Sequence, residues 1–203
     1  MFVNQRYTHA TMERRKIVLV GGCRVGKTTI VRAIAGAPDN ALSSNPFATV
    51  GTSVRTLECT WPRATTGRRA LVSLSLWDTD GRRALNVDDY ILFSDADAVW
   101  FVYDLNDERT FWSAAMDWFR PLKRAATSIR RRRPLIIVFV GTKRDRVRAR
   151  VFAAGRAVVR RHDAERMAAV FGAHAHVCVA AQSDTASVHR LLLQTCLLID
   201  AAL

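Results

Sequence analysis

Lysine is scarce in this chain. The four lysines are Lys16, Lys27, Lys123 and Lys143, so arginine carries nearly all of the basic charge behind a formal net charge of +13. A bias towards arginine and alanine reflects genome composition as readily as function. Basicity alone therefore does not point to nucleic acid, and none is expected as a partner; acidic lipid headgroups and acidic proteins stay open. Cysteine is as sparse. Cys23, Cys59, Cys178 and Cys196 are scattered with no C-x-x-C, which argues against a zinc ribbon or a disulfide scaffold and fits a reducing compartment. Long apolar runs are missing: Leu135–Val140 is far too short to span a bilayer, and Met1–Arg15 lacks the apolar core of a signal peptide. Phe2 excludes an N-myristoyl signal, and Asp200-Ala201-Ala202-Leu203 is no prenylation motif. The expectation is a cytoplasmic protein with no direct membrane anchor, whose peripheral recruitment to membranes would come from partners. No Ser–His–Asp or Cys–His arrangement stands out. His174 and His176 read as packed or solvated strand residues rather than as a metal pair.

What the chain does have is apolar content, 49% of 203 residues, enough for one domain with a full core. Residues 1–15 read as a polar extension and 16–203 as the domain. Lys16–Val20 reads as a buried strand and Thr28–Ala35 as a helix stopped by Gly36 and Pro38. Pro38–Gly51 reads as a long, functional loop. Thr52–Trp61 and Ala70–Trp77 read as a hairpin, with Val72, Leu74 and Leu76 towards the core. A helix is expected over Ala84–Ser94, and Ala98–Tyr103 is apolar throughout, as in a sheet covered on both faces. Asp107–Ala125 reads as a helix with Phe111, Trp112, Ala115, Trp118, Phe119 and Leu122 on its apolar face, kinked or ended by Pro121. Arg130–Arg133 reads as a solvated basic run. Leu135–Val140 is the next strand, and Arg144–Arg161 a loop with some helix. His162–Phe171 is a helix ended by Gly172, His174–Val179 a last strand, and Ser187–Leu198 an apolar final helix that takes Cys196 into the core. Strands alternating with helices in this way imply a three-layer α/β fold with a largely parallel sheet.

The chain is organised around Gly21-Gly22-Cys23-Arg24-Val25-Gly26-Lys27-Thr28, a G-x-x-x-x-G-K-[ST] phosphate loop between a strand and a helix. Gly21 and Gly26 let the backbone turn its N–H groups inward onto a polyphosphate, and the helix that follows adds positive potential. Lys27 can reach the outer phosphates, and the Thr28 hydroxyl can hold a magnesium ion.

Three further segments choose among the chemistries that share such a loop. Asp78-Thr79-Asp80-Gly81 closes a strand with D-x-x-G: the Asp78 carboxylate can bind Mg2+ through water, and Gly81 lets a backbone N–H approach the terminal phosphate. Gly141-Thr142-Lys143-Arg144-Asp145 follows an apolar strand. There Asp145 can accept from the N1 and N2 donors of guanine, a pair adenine lacks, so discrimination can reach roughly 10⁴-fold, while Lys143 can lie along the base and brace the phosphate loop. Val179-Ala180-Ala181 follows the last strand, where backbone N–H groups can meet the guanine oxygen.

With these motifs, over about Lys16–Leu198, the chain resembles the Ras superfamily of small GTPases and its Rab branch in particular. Thr49-Val50-Gly51, Leu76-Trp77-Asp78-Thr79 and Phe101-Val102-Tyr103-Asp104-Leu105 are similar to Rab motifs, in the family's order. The resemblance implies the P-loop GTPase (G domain) fold, with a mostly parallel six-stranded sheet wrapped by helices. It implies GTP/GDP and Mg2+ as cofactors, protein effectors with exchange or activating factors as partners, and a role in intracellular or ciliary transport. By the resemblance, nucleotide contacts fall to Gly21, Val25, Gly26, Lys27, Thr28, Thr29, Thr49, Gly81, Thr142, Lys143, Asp145, Ala180 and Ala181. Metal contacts fall to Thr28, Thr49 and Asp78, and catalysis to Lys27 and the position of Arg82.

The departures are specific. Arg82 stands where most members have the glutamine that orients the attacking water, and arginine has no acceptor, so slow or partner-dependent hydrolysis is expected. Asp80 replaces a small residue, Thr142 the more usual asparagine, and Ala180 and Gln182 depart from the family's last motif, leaving the backbone at Ala181. Two other classes compete with a switch. One is a pseudo-GTPase scaffold with static or absent nucleotide; the other is a nucleotide kinase, disfavoured by Asp78–Gly81 and by Lys143 with Asp145.

Overall fold

The computed structural model describes residues 12–36, 51–63, 69–81, 90–120, 122–123, 133–147 and 159–202. Apart from Gly51, the loop expected over Pro38–Gly51, with Thr49, lies outside the described residues, as do Arg82 and most of the Arg-rich stretches 130–133 and 144–161. Among the described residues, six strands form one sheet in the order β2-β3-β1-β4-β5-β6. They are β1 (Glu13–Val20), β2 (Ser53–Pro62), β3 (Arg69–Asp78), β4 (Ala98–Asp104), β5 (Ile136–Thr142) and β6 (Ala175–Cys178). Only the β2–β3 hairpin is antiparallel; the pairs β3–β1, β1–β4, β4–β5 and β5–β6 are parallel. Parallel strands need crossovers, and those put helices on both faces.

The apolar pattern decides which side chains go where. On β3, Val72, Leu74 and Leu76 are buried while Leu71 is exposed. Together with Ile17, Leu19, Trp100, Val102 and Val138 they form the core under α1 (Lys27–Ile34) and the C-terminal helix. The alternate residues Val18, Val20, Phe101 and Phe139 face a second core, built from Phe93 of α2 (Tyr90–Phe93), Phe111 of α3 (Glu108–Ser113), and Ala164 and Ala168 of α4 (Arg161–Val170). The last helix, α5 (Thr185–Ala201), is capped by Asp184, whose side chain accepts from the Ser187 N–H. Its Cys196 is buried, as expected, and burial pushes that thiol's pKa up.

Three expectations change. The polar extension was expected through Arg15, yet Glu13–Arg15 are strand, paired with Val72–Leu74 of β3. Backbone pairing does not need apolar side chains, and the buried Arg15 guanidinium meets Glu13 at 2.8 Å. Trp112 is not on the buried face of α3: it is 41% exposed, and its indole N–H donates to Glu108 at 3.0 Å. The buried stripe runs instead through Phe111, Ala114, Ala115, Trp118, Phe119 and Leu122, and residue 112 falls about a quarter-turn off it. The helix is also not regular. Ala114–Phe119 winds as a π-helix, a turn type that inserts extra residues, just before Pro121, which has no N–H with which to continue a helix.

Candidate nucleotide-binding site

The carboxyl ends of the parallel strands deliver all of the described motif residues to one edge of the sheet. β1 runs into the phosphate loop, whose positive-φ residues are Gly21 (φ +137°), Arg24 (φ +59°) and Gly26 (φ +107°). A Cβ on Gly21 would lie 2.1 Å from the Val102 carbonyl oxygen, so the loop's close seat on β4 requires glycine there. Lys27 opens α1 and is buried. Its amine donates to the Gly21 and Gly22 carbonyls at 2.7 and 2.8 Å. Burial pushes the Lys27 pKa down, and Asp78, Cys23 and Asp80 pull it partly back. Thr29 sits half-buried on the first turn of α1 and Val25 is fully buried.

β3 ends at Asp78. The Thr28 hydroxyl donates to the buried Asp78 carboxylate at 2.5 Å, so a hydroxyl and a carboxylate oxygen meet at the mouth of the phosphate loop. Two hard oxygen donors suit Mg2+, which keeps several waters and takes few protein ligands. Thr79 anchors the turn by donating to the Leu19 carbonyl at 2.7 Å. Gly81 then lies against the phosphate loop: a Cβ on it would be 2.5 Å from the Gly22 carbonyl carbon and oxygen and 2.6 Å from the Cys23 nitrogen. The fold thus leaves a cradle that only glycine fits, closed by backbone on the phosphate side. The residues present fit a nucleotide polyphosphate with its metal.

β5 ends at Thr142. Its buried hydroxyl reaches the Val25 carbonyl at 2.5 Å and the Tyr103 carbonyl at 2.9 Å. Lys143 follows in a left-handed conformation (φ 57°), with its amine on the Arg24 carbonyl at 2.8 Å and the Asp104 carboxylate at 2.7 Å. Asp145 sits on the short 3₁₀ turn Arg144–Arg146, exposed and with no hydrogen bond or ion pair among the described residues. That turn is tied to the segment after β6. The Arg144 N–H donates to the Val179 carbonyl at 3.2 Å, Arg144 pairs with Asp184 at 2.8 Å, and Arg146 meets Gln182 at 3.1 Å.

The sequence model of the Ras family matches residues 16–197. The chain belongs to the Ras family. It is 30% identical over 115 residues to Ras-related protein Rab-13 of Rattus norvegicus, covering 56% of this chain and 51% of that protein. It is 27% identical over 158 residues to Ras-related protein Rab-37 of Mus musculus, covering 77% and 61%. It is also 34% identical over 98 residues to EF-hand calcium-binding domain-containing protein 4B of Homo sapiens, covering 48% of this chain and 12% of that much longer one. The chain thus spans about half to three fifths of the length of the Rab relatives it matches.

In this Ras-family chain the structure brings together Gly21, Val25, Gly26, Lys27, Thr28, Thr29, Asp78, Gly81, Thr142, Lys143, Asp145, Ala180 and Ala181. Thr49 and Arg82 lie outside the described residues. Besides Lys27, Thr28 and Lys143, two more of the assembled groups are engaged with protein partners. The Thr142 hydroxyl is spent on protein carbonyls, and the Ala180 N–H donates to Ser187 Oγ at 3.1 Å, which leaves Ala181 as the backbone donor there. Three contributors were missed from sequence. Asp104 receives Lys143. Asn106, buried, donates from its amide to the Lys143 carbonyl at 3.1 Å and to Asp104 at 3.0 Å. Burial works to raise the Asp104 pKa, but the Lys143 and Asn106 hydrogen bonds outweigh it and hold the carboxyl below its ordinary value. Ser187 holds the turn after β6. The readable signal was Asp104-Leu105-Asn106-Asp107, an Asx-rich turn directly after an apolar strand. Each of the two strand histidines has a protein partner: the Ile137 N–H donates to His174 Nδ1 at 3.1 Å, and His176 Nε2 lies 2.6 Å from the Tyr103 hydroxyl.

Proposed function

We propose that this Ras-family chain is a Rab-like switch that binds GTP and GDP with Mg2+ and hydrolyses GTP slowly or with a partner's help, in intracellular transport. The observation that carries the reading is the mounting of Asp145. Lys143 and Thr142 lock its turn to the phosphate loop through the Arg24 and Val25 carbonyls, while its own carboxylate is left exposed. A carboxylate held at a fixed distance from a phosphate cradle reads guanine through its paired N1 and N2 donors. When bound, the metal would neutralise phosphate charge; Thr28 and Asp78 would hold it, with Thr49 as a further ligand. Lys27 would exchange its two glycine carbonyls for phosphate oxygens. Effectors, exchange factors and activating factors are the partner classes of such a switch.

The test is to identify the nucleotide that co-purifies with the full chain and to compare GTP, GDP and ATP by competition. Asp145→Ala should weaken GTP and GDP at least a hundredfold without improving ATP. Comparable affinities for ATP and GTP in the unmodified chain overturn the reading. A second reading, a scaffold that holds GTP statically, is favoured by Arg82 at the water-positioning place; a nucleotide-exchange rate slower than hours, with no turnover, would select it.

A further inference from the structure

The helix that begins at Glu108 carries a second stripe, on the side away from the core. Arg109, Trp112, Met116 and Arg120 are exposed on it at spacings of three, four and four, and Lys123, two residues after Pro121 in sequence, is exposed as well. Opposite them, Phe111, Ala115, Trp118 and Leu122 are buried. Trp112 and Met116 keep 41% and 37% of their surface in water, on a helix whose neighbouring turns hide four other large apolar or aromatic side chains. Acidic groups on this element sit at its N-terminal end or flank, and each is locally bonded. Asp107 caps the helix and pairs with Arg109, Glu108 holds the Trp112 indole, and Asp117 accepts from Ser113. Towards the C-terminal end the charge is of one sign. From Trp118 to Arg133 the sequence has no acidic residue, and Arg120 and Lys123 are the described cations next to the stripe's apolar pair.

We propose that this face is a contact for an anionic bilayer surface. A tryptophan and a methionine set among arginine and lysine at helical spacing suit the headgroup boundary, where the apolar groups dip in and the cations meet anionic lipid. A protein partner of ordinary size needs about 800 Å² on each side. One helical stripe with two large apolar side chains falls short of that, whereas a lipid surface makes no such demand. The contact is reversible, because a few cations and two apolar groups do not reach the strength of a lipid anchor. It uses none of the residues of the nucleotide site and does not depend on the nucleotide reading.

The experiment uses the full chain and vesicles of phosphatidylcholine alone or with about 30% phosphatidylserine, near 0.1 M salt, with sedimentation as the readout. The intact chain should bind the anionic vesicles and not the neutral ones. Arg120→Glu with Lys123→Glu should cut the partition at least roughly tenfold, and Trp112→Ala with Met116→Ala several-fold. A charge-matched pair elsewhere on the surface, Arg55→Glu with Arg166→Glu, should leave it within about twofold. Urea unfolding of each variant checks that it folds. If the control pair loses as much as the stripe pair, the attraction is diffuse charge and the proposal fails. It fails equally if the intact chain ignores anionic vesicles, which would leave the face to a protein partner.

Discussion

Replacing Thr142 with valine tests how the guanine-reading turn is coupled to the phosphate loop. Valine keeps the branched shape of the side chain beside Gly26, where an added Cβ would sit 3.6 Å from three Thr142 side-chain atoms. What it removes is one buried hydroxyl, within 2.5 Å of the Val25 carbonyl and 2.9 Å of the Tyr103 carbonyl. With no cavity created, the cost is that of leaving buried acceptors short of a donor, about 1–3 kcal/mol. For a urea slope near 3 kcal/mol/M, a loss of about 2 kcal/mol lowers the midpoint by roughly 0.7 M. Thr142→Ser keeps the hydroxyl and loses a methyl, so it should fall by about half as much or less. The same ranking should hold for GDP retention, with dissociation faster in Thr142→Val than in Thr142→Ser, because the loop's Val25 carbonyl is then untethered. Urea melts and a fluorescent-nucleotide chase read both. A Thr142→Val chain as stable and as retentive as the unmodified one, or a serine variant worse than the valine one, refutes the coupling.

The Asp104–Lys143 pair makes stability depend on pH. Its folded carboxyl titrates below the ordinary value, so the contribution is fully present above about pH 4 and is lost as pH falls through the lower folded pKa. Asp104→Asn should therefore be less stable at pH 7 yet lose less on acidification; parallel curves for the two chains would count against the pair. Arg82→Gln should raise the single-turnover rate of GTP hydrolysis above a baseline expected at or below roughly 10⁻⁴ per second, since glutamine supplies the acceptor that arginine lacks. An unchanged rate would place the defect elsewhere, with Asp80 or Arg24 as the next positions to vary.

Strands and binding motifs were legible for different physical reasons. Ala98–Tyr103 is apolar on both faces because helices cover both, and Ala70–Trp77 alternates because its inner face packs tightly and its outer one does not. The glycines and charged residues of the phosphate loop, of Asp78–Gly81 and of Thr142–Asp145 are set by ligand chemistry at short spacing, which survives as pattern. Residues that act on other backbone segments leave at most the weak trace of a polar turn. Asn106 and Ser187 work across 37 and 7 positions, on Lys143 and on Ala180, and any polar residue in a turn looks like them. The start of β1 was hidden for the opposite reason: Glu13–Arg15 join the sheet through main-chain pairing, while their charged side chains imitate a solvated tail. Trp112 was misplaced because composition marks an aromatic as core, whereas the angle around the helix decides.

Arg24 poses the last question of the site. It holds a left-handed conformation, φ 59°, that costs a side-chain-bearing residue about 1–2 kcal/mol and that glycine adopts freely. What the neighbouring segment needs from this position is a main-chain carbonyl for Lys143, and glycine offers the same one. The backbone therefore gives no reason for an arginine, and whatever favours one must act through its side chain, which is exposed at the rim of the phosphate loop. A guanidinium there attracts an incoming polyphosphate over a range set by salt, about 10 Å at 0.1 M and 3 Å at 1 M. Arg24→Gly should leave stability within about 1 kcal/mol, because relief of the strained φ offsets the added freedom of the unfolded chain. It should slow nucleotide association several-fold at low ionic strength, and the difference should vanish near 1 M salt. Stopped-flow association of a fluorescent GDP across a salt series reads this directly. An association rate that Arg24→Gly leaves unchanged at low salt would remove the steering role, and a gap that persists at 1 M would assign Arg24 a direct contact instead.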